Sequence, residues 1–153
     1  MPRTTRWRVA VLTAAAALLI PLAAACGDDN QTDSAAEGAA VLSAITFLDT
    51  AGYHAIDDAI NKEKTIPATA RTAALKGRAV VKATAWPAEL QSQANALAAI
   101  LGDLAAALDG ESPDLAKAGA AAAKAHDAQH EFSDAAWSWL YEKAGVEGPA
   151  HGH

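Results

Sequence analysis

One cysteine, one methionine and 5% aromatic residues are all that this 153-residue chain holds of those types. The single methionine is Met1, so a thioether site for Cu(I) has no ligands to draw on. There is no glycine-rich phosphate loop, no G-x-S-x-G and no H-E-x-x-H. The one acidic doublet in the helical part is Asp57-Asp58. Adjacent residues on a helix point about 100° apart, so the two do not form a catalytic dyad. No stretch alternates apolar and polar residues in the manner of a strand, and no internal repeat occurs. These absences argue against an enzyme and against a β fold.

What is present begins with an address. Arg3, Arg6 and Arg8 make a positive n-region, and Val9 to Leu22 an apolar run broken only by Thr13 and Pro21. Ala23, Ala24 and Ala25 then supply small residues for cleavage, the three-part order of a secretion signal. The apolar run is short for a membrane span, which takes about 20 residues.

The segment Leu22-Ala23-Ala24-Ala25-Cys26 resembles the lipobox of bacterial lipoproteins. Ala23 stands where that family favours leucine, as a permitted variant. The resemblance covers residues 1–27 and carries no fold or activity. It implies that residues 1–25 are removed as a lipoprotein signal peptide and that Cys26 is acylated. The mature chain would then be anchored to the cell membrane on its extracytoplasmic face. Two or more acyl chains suffice for stable anchoring. An acylated Cys26 also leaves no thiol for disulfides, metal ligation or nucleophilic catalysis.

Loss of the three signal arginines leaves nine basic against 18 acidic residues, a formal charge of −9. Such a surface excludes nucleic acid as a partner, because phosphates need cationic contacts. Residues 26–37 read CGDDNQTDSAAE, polar and acidic, as expected of a flexible tether. Residues 38–145 read as helices, and residues 146–153 as a short tail with His151 and His153.

Four helices are expected, roughly Ala39–Asn61, Pro67–Ala85, Pro87–Asp109 and Ser112–Ala144. Leu90, Ala94, Leu97, Leu101, Leu104 and Leu108 alternate by four and three, the clearest seam in the chain. Ser112 is the expected N-cap of the last helix, with Pro113 following, and Gly145 its C-cap. Trp86-Pro87 separates two helices or kinks one; separation is preferred, because the residue before proline leaves the α region. Short connections give an antiparallel up-down four-helix bundle. Phe47, Leu90, Leu97, Leu104, Phe132, Trp139 and Leu140 are its expected core.

His126 and His130 are four apart on the last helix, with His126 inside the apolar arc beside Gln129 and Ser133. His54 and Asp58 are four apart on the first. Facing margins of those helices would bring His54, Asp58, His126 and His130 together, a donor set suited to Zn or Cu. Arg71, Arg78 and Lys82 form a basic stripe on the second helix. It either pairs with acids of the chain itself or docks to an acidic partner. The expected role is thus a non-enzymatic binding lipoprotein for a divalent metal ion or small ligand. The alternative is an accessory lipoprotein that docks to an envelope or membrane protein without a ligand.

Overall fold

The computed structural model describes the backbone of residues 29–148. The signal, Cys26 and the tail histidines lie outside the described residues. Five helices follow in order: α1 (Asp29–Asp49), α2 (Tyr53–Asn61), α3 (Ala70–Ala83), α4 (Ala88–Ala107) and α5 (Leu115–Ala144). No strand occurs among the described residues. The fold is all-α.

The first expected helix is two helices. Gly52, the N-cap of α2, has φ 78°, a left-handed conformation that glycine adopts without steric penalty, and it stands in the break between α1, which ends at Asp49, and α2. Apolar periodicity continues across the break, which is why pattern alone joins the two. α1 also begins earlier than expected. Residues 29–37 are helical although composition reads them as tether, and Ala35, Ala36 and Glu37 are strong helix formers. By length and composition Ser34–Asn61 is the one stretch among the described residues apolar enough to cross a membrane. Its apolar stripe, Val41, Ala44, Ile45 and Leu48, is buried inside the bundle.

Pro87 separates α3 from α4. Thr84 leaves α3 in an extended conformation with ψ 132°, and Pro87 precedes α4 with φ −59°, the value its ring fixes, and ψ 153°. Between them Trp86 folds inward. Its Nε1 donates to the Val81 carbonyl at 2.7 Å, and its ring meets Phe132 of α5 edge-to-face at 4.9 Å. One side chain thus ties the end of α3 to α5 and satisfies a carbonyl left open by the helix end. At the start of α5 the cap is Asp114 rather than Ser112. Its carboxylate accepts from the Lys117 N–H at 2.9 Å, and that bond holds its pKa below the usual carboxylate value. Gly145, φ 65°, closes α5 as expected.

α5 packs against α1, α2 and α4; α3 packs against α4 and, more lightly, α1. The core follows the seam of α4: Leu90, Leu97, Leu101 and Leu104 are buried, with Phe132 and Trp139 from α5. Phe47 is not core. It is 36% exposed, beside the loose seam of α1 and α3, while Ile45 and Leu48 take the buried positions of that turn. Leu140 packs on the core edge only. Small residues set the helix spacing. Gly77 of α3 faces Tyr53 so closely that a β-carbon there would collide with the Tyr53 hydroxyl, which donates to the Ala73 carbonyl at 3.3 Å. Burial raises the Tyr53 pKa to about 12, because a phenolate there would be poorly hydrated.

Candidate metal-binding site at the seam of α2 and α5

α2 and α5 meet over an apolar floor that is flanked by polar side chains. α2 carries its buried residues Tyr53, Ile56 and Ile60 on one stripe, which leaves His54, Asp57, Asp58 and Asn61 along the margins. On α5, Ala118, Ala122 and Ala125 keep the helices close, and His126 comes next along the same margin.

His54 and His126, 72 residues apart in sequence, meet here. His54 Nδ1 lies 3.1 Å from His126 Nε2, and the rings are edge-to-face with centroids 4.8 Å apart. The His130 ring follows 4.7 Å from that of His126, one turn along α5. His54 is 67% exposed at its side chain and His126 only 17%, so the pair has a wet side and a dry side. On the dry side Asp57 Oδ2 lies 3.5 Å from His126 Nδ1. On the wet side Asp58 Oδ2 lies 3.5 Å from His54 Nε2. The Asp58 carboxylate also accepts from Lys62 Nζ at 2.7 Å, which lowers its pKa and raises that of Lys62. An open depression beside the pair is rimmed by Asp127, Glu131 and Asp134 of α5.

Of the four residues that spacing singles out, the structure brings His54, His126 and His130 into one row, with Asp58 alongside. It does not give a closed ligand sphere. No group of three or more His, Cys, Asp or Glu side chains among the described residues is arranged to hold a metal ion. Asp58 faces the outer nitrogen of His54, away from His126, which sets it behind an imidazole rather than among ligating atoms.

Two residues that the sequence reading passes over take part. Asp57 is one. The other is Asp49, the last residue of α1, one turn from the imidazoles. Its Oδ1 accepts from Ser133 Oγ at 2.6 Å and from Gln129 Nε2 at 2.9 Å, and its Oδ2 from Trp137 Nε1 at 3.0 Å. A signal for it existed: Gln129 and Ser133 fall in the apolar arc of α5, and buried polar side chains require partners. Nothing in the sequence names Asp49 as that partner, because it becomes available only through the break at Gly52.

The basic stripe of α3 divides. Arg71 Nη2 pairs with Asp109 Oδ1 at 3.1 Å, across the far end of α4, and the Arg78 guanidinium lies over Gly102 of α4. Arg78 and Lys82 are exposed.

Fold and site together define an all-helical protein with an imidazole–carboxylate cluster at one helix seam. Comparison with family models, with curated proteins and with solved structures finds no match for the chain.

Proposed function

We propose that this chain is an extracytoplasmic, lipid-anchored binding protein, not an enzyme, and that it handles a divalent metal ion, Zn or Cu, at the seam of α2 and α5. The lipobox-like segment ending in Cys26 supports the location. The scaffold in this reading is an antiparallel up-down bundle of four helical columns, with α1 and α2 forming the first. The packing of neighbouring columns supports it, since α1 meets α3, α3 meets α4, α4 meets α5, and α5 meets both α1 and α2.

The observation that carries the metal reading is the 3.1 Å approach of His54 Nδ1 to His126 Nε2, with His130 next in the row. Imidazole nitrogens suit Zn²⁺ and Cu²⁺, and the exposed side leaves coordination positions to water and to His130 after a change of rotamer. An ion bound by few protein ligands and open to solvent exchanges readily, which fits capture or hand-over better than a structural role.

Calorimetric titration with Zn²⁺ and with Cu²⁺ on protein lacking His151 to His153 tests the reading. Binding at micromolar metal is expected. No binding to that protein rejects the metal site.

A second reading is an accessory lipoprotein that docks to an acidic envelope partner through α3. The exposed Arg78 and Lys82, with Leu75 40% exposed on the same helix, favour it. A titration without heat, together with loss of a cross-linked partner in the Arg78→Glu, Lys82→Glu variant, would put this reading first.

A further inference from the structure

The geometry points to His126 Nε2 and His54 Nδ1 as the two metal-ligating atoms, and to Asp57 as the positioning residue that aims His126. The inference rests on the metal reading above and specifies its atoms.

A neutral imidazole has one N–H and one bare nitrogen, and an ionised carboxylate can only accept. A carboxylate beside one ring nitrogen therefore favours the tautomer that carries its proton there. Asp57 stands beside His126 Nδ1 and Asp58 beside His54 Nε2, each at 3.5 Å. His126 then keeps its proton at Nδ1 beside Asp57, and its bare Nε2 accepts a 3.1 Å hydrogen bond from His54 Nδ1–H in the metal-free protein. A bound ion takes the place of that proton, which moves to His54 Nε2 beside Asp58. A four-coordinate ion with bonds of about 2.0–2.1 Å holds neighbouring nitrogens roughly 2.9–3.4 Å apart. The observed spacing falls within that bite.

The two carboxylates differ in how firmly they are held. Asp58 is drawn outward to Lys62, an exposed and adjustable side chain. Asp57 is held from within the seam. Asn61 Nδ2 donates to Asp57 Oδ1 at 2.6 Å and to the Gly119 carbonyl of α5 at 2.9 Å. Gly119 makes room for this, since a β-carbon there would collide with Asn61 Oδ1. A chain of contacts thus leaves α5 at Gly119, crosses to Asn61 and Asp57 on α2, and returns to α5 at His126. Metal-bound histidines commonly have their second nitrogen fixed by a carboxylate in this manner, and loss of that partner typically costs 10–100-fold in affinity.

Asp57→Asn is the discriminating change. Asn61 already donates to Oδ1 of residue 57, so the new amide must turn its NH2 group toward His126 Nδ1. An NH2 group donates, so the ring moves its proton to Nε2 and blocks the ligating nitrogen. Nitrogen-15 spectra of the metal-free mature chain should show His126 protonated at Nδ1 in the wild type and at Nε2 in Asp57→Asn. Titration with Zn²⁺ alone should show affinity lower by about 10–100-fold in that variant. Gly119→Ala, which dislodges Asn61, should move both readouts the same way by less. Wild-type His126 protonated at Nε2 would overturn the assignment. Wild-type Zn²⁺ binding that Asp57→Asn leaves unchanged would overturn the role of Asp57 while keeping the metal site. A protein that binds neither Zn²⁺ nor Cu²⁺ would overturn both.

Discussion

The seam of α3 and α4 and the seam of α5 with α1 and α2 are built from different materials. The first is made of Ala70, Ala74, Gly77 and Val81 against Leu97, Leu101 and Leu104, with the Arg71–Asp109 pair at its rim. The second has an apolar floor, but its length is crossed by Asp49, His54, Asp57 and Asn61 reaching to His126, Gln129, Ser133, Trp137 and the Gly119 carbonyl. Apolar contacts are non-directional and set how closely two helices lie. Hydrogen bonds between named atoms set which turn faces which, and a half-satisfied network is costly. One seam therefore supplies stability, and the other fixes the register on which a binding site depends.

The largest expected effect breaks the apolar seam. Leu101→Ala removes a fully buried side chain and should destabilise the fold by about 2–5 kcal/mol in a denaturant titration. Metal affinity, measured where the variant is still folded, should not change. A shift in both together would mean that the two seams are not separable.

Next comes the knot at Asp49. Asp49→Ala takes the acceptor from the buried Ser133 hydroxyl and from the Trp137 indole, and leaves Gln129 with Ser133 Oγ alone, at a cost of about 1–3 kcal/mol for the unpaired groups. Asp49→Asn retains an acceptor and should cost less. Equal loss in both variants would place the effect in the charge and paired acceptor oxygens of the carboxylate, since Asn keeps the side-chain volume.

Tyr53 sits where the two seams meet and provides a test by pH. Its folded pKa is raised to about 12 from an ordinary 10.0, so the folded state holds its proton more tightly than the unfolded chain. The contribution is complete below pH 10 and is lost as pH rises through 12. Stability should decline over that window in the wild type, and the decline should be smaller in Tyr53→Phe.

The smallest effect on stability should come from His126→Ala, within about 1 kcal/mol, although it should abolish most metal binding. A large loss of stability would make His126 a structural residue first.

How far the sequence discloses this differs between the same two seams. The α4 heptads are legible because an apolar side chain announces its own burial, and Leu97, Leu101 and Leu104 are buried as their spacing requires. Trp86-Pro87 is legible because proline restricts its neighbours by local sterics alone. The imidazole row is half legible. His126 and His130 share a face by helix geometry, and the meeting with His54 needs only that α2 lie beside α5. Asp57 and Asp49 are not legible, since a carboxylate on a helix margin looks the same whether it faces water or a partner. Phe47 misleads for the opposite reason. Its apolarity fits a core position, but the loose seam of α1 and α3 leaves it at the surface.

The indole of Trp137 has an optical consequence. Trp86 is buried and bonded to a backbone carbonyl, and Trp139 is buried with its Nε1 unpaired and Lys143 Nζ 5.4 Å from its ring centroid. Trp137 alone of these three bonds to Asp49 and lines the same depression as His54 and His130. Its emission should be red-shifted relative to the two buried indoles, and of the three it stands where a paramagnetic Cu²⁺ ion on the imidazoles would quench most strongly. The protein thus carries its own fluorescent gauge of site occupancy, readable without a label.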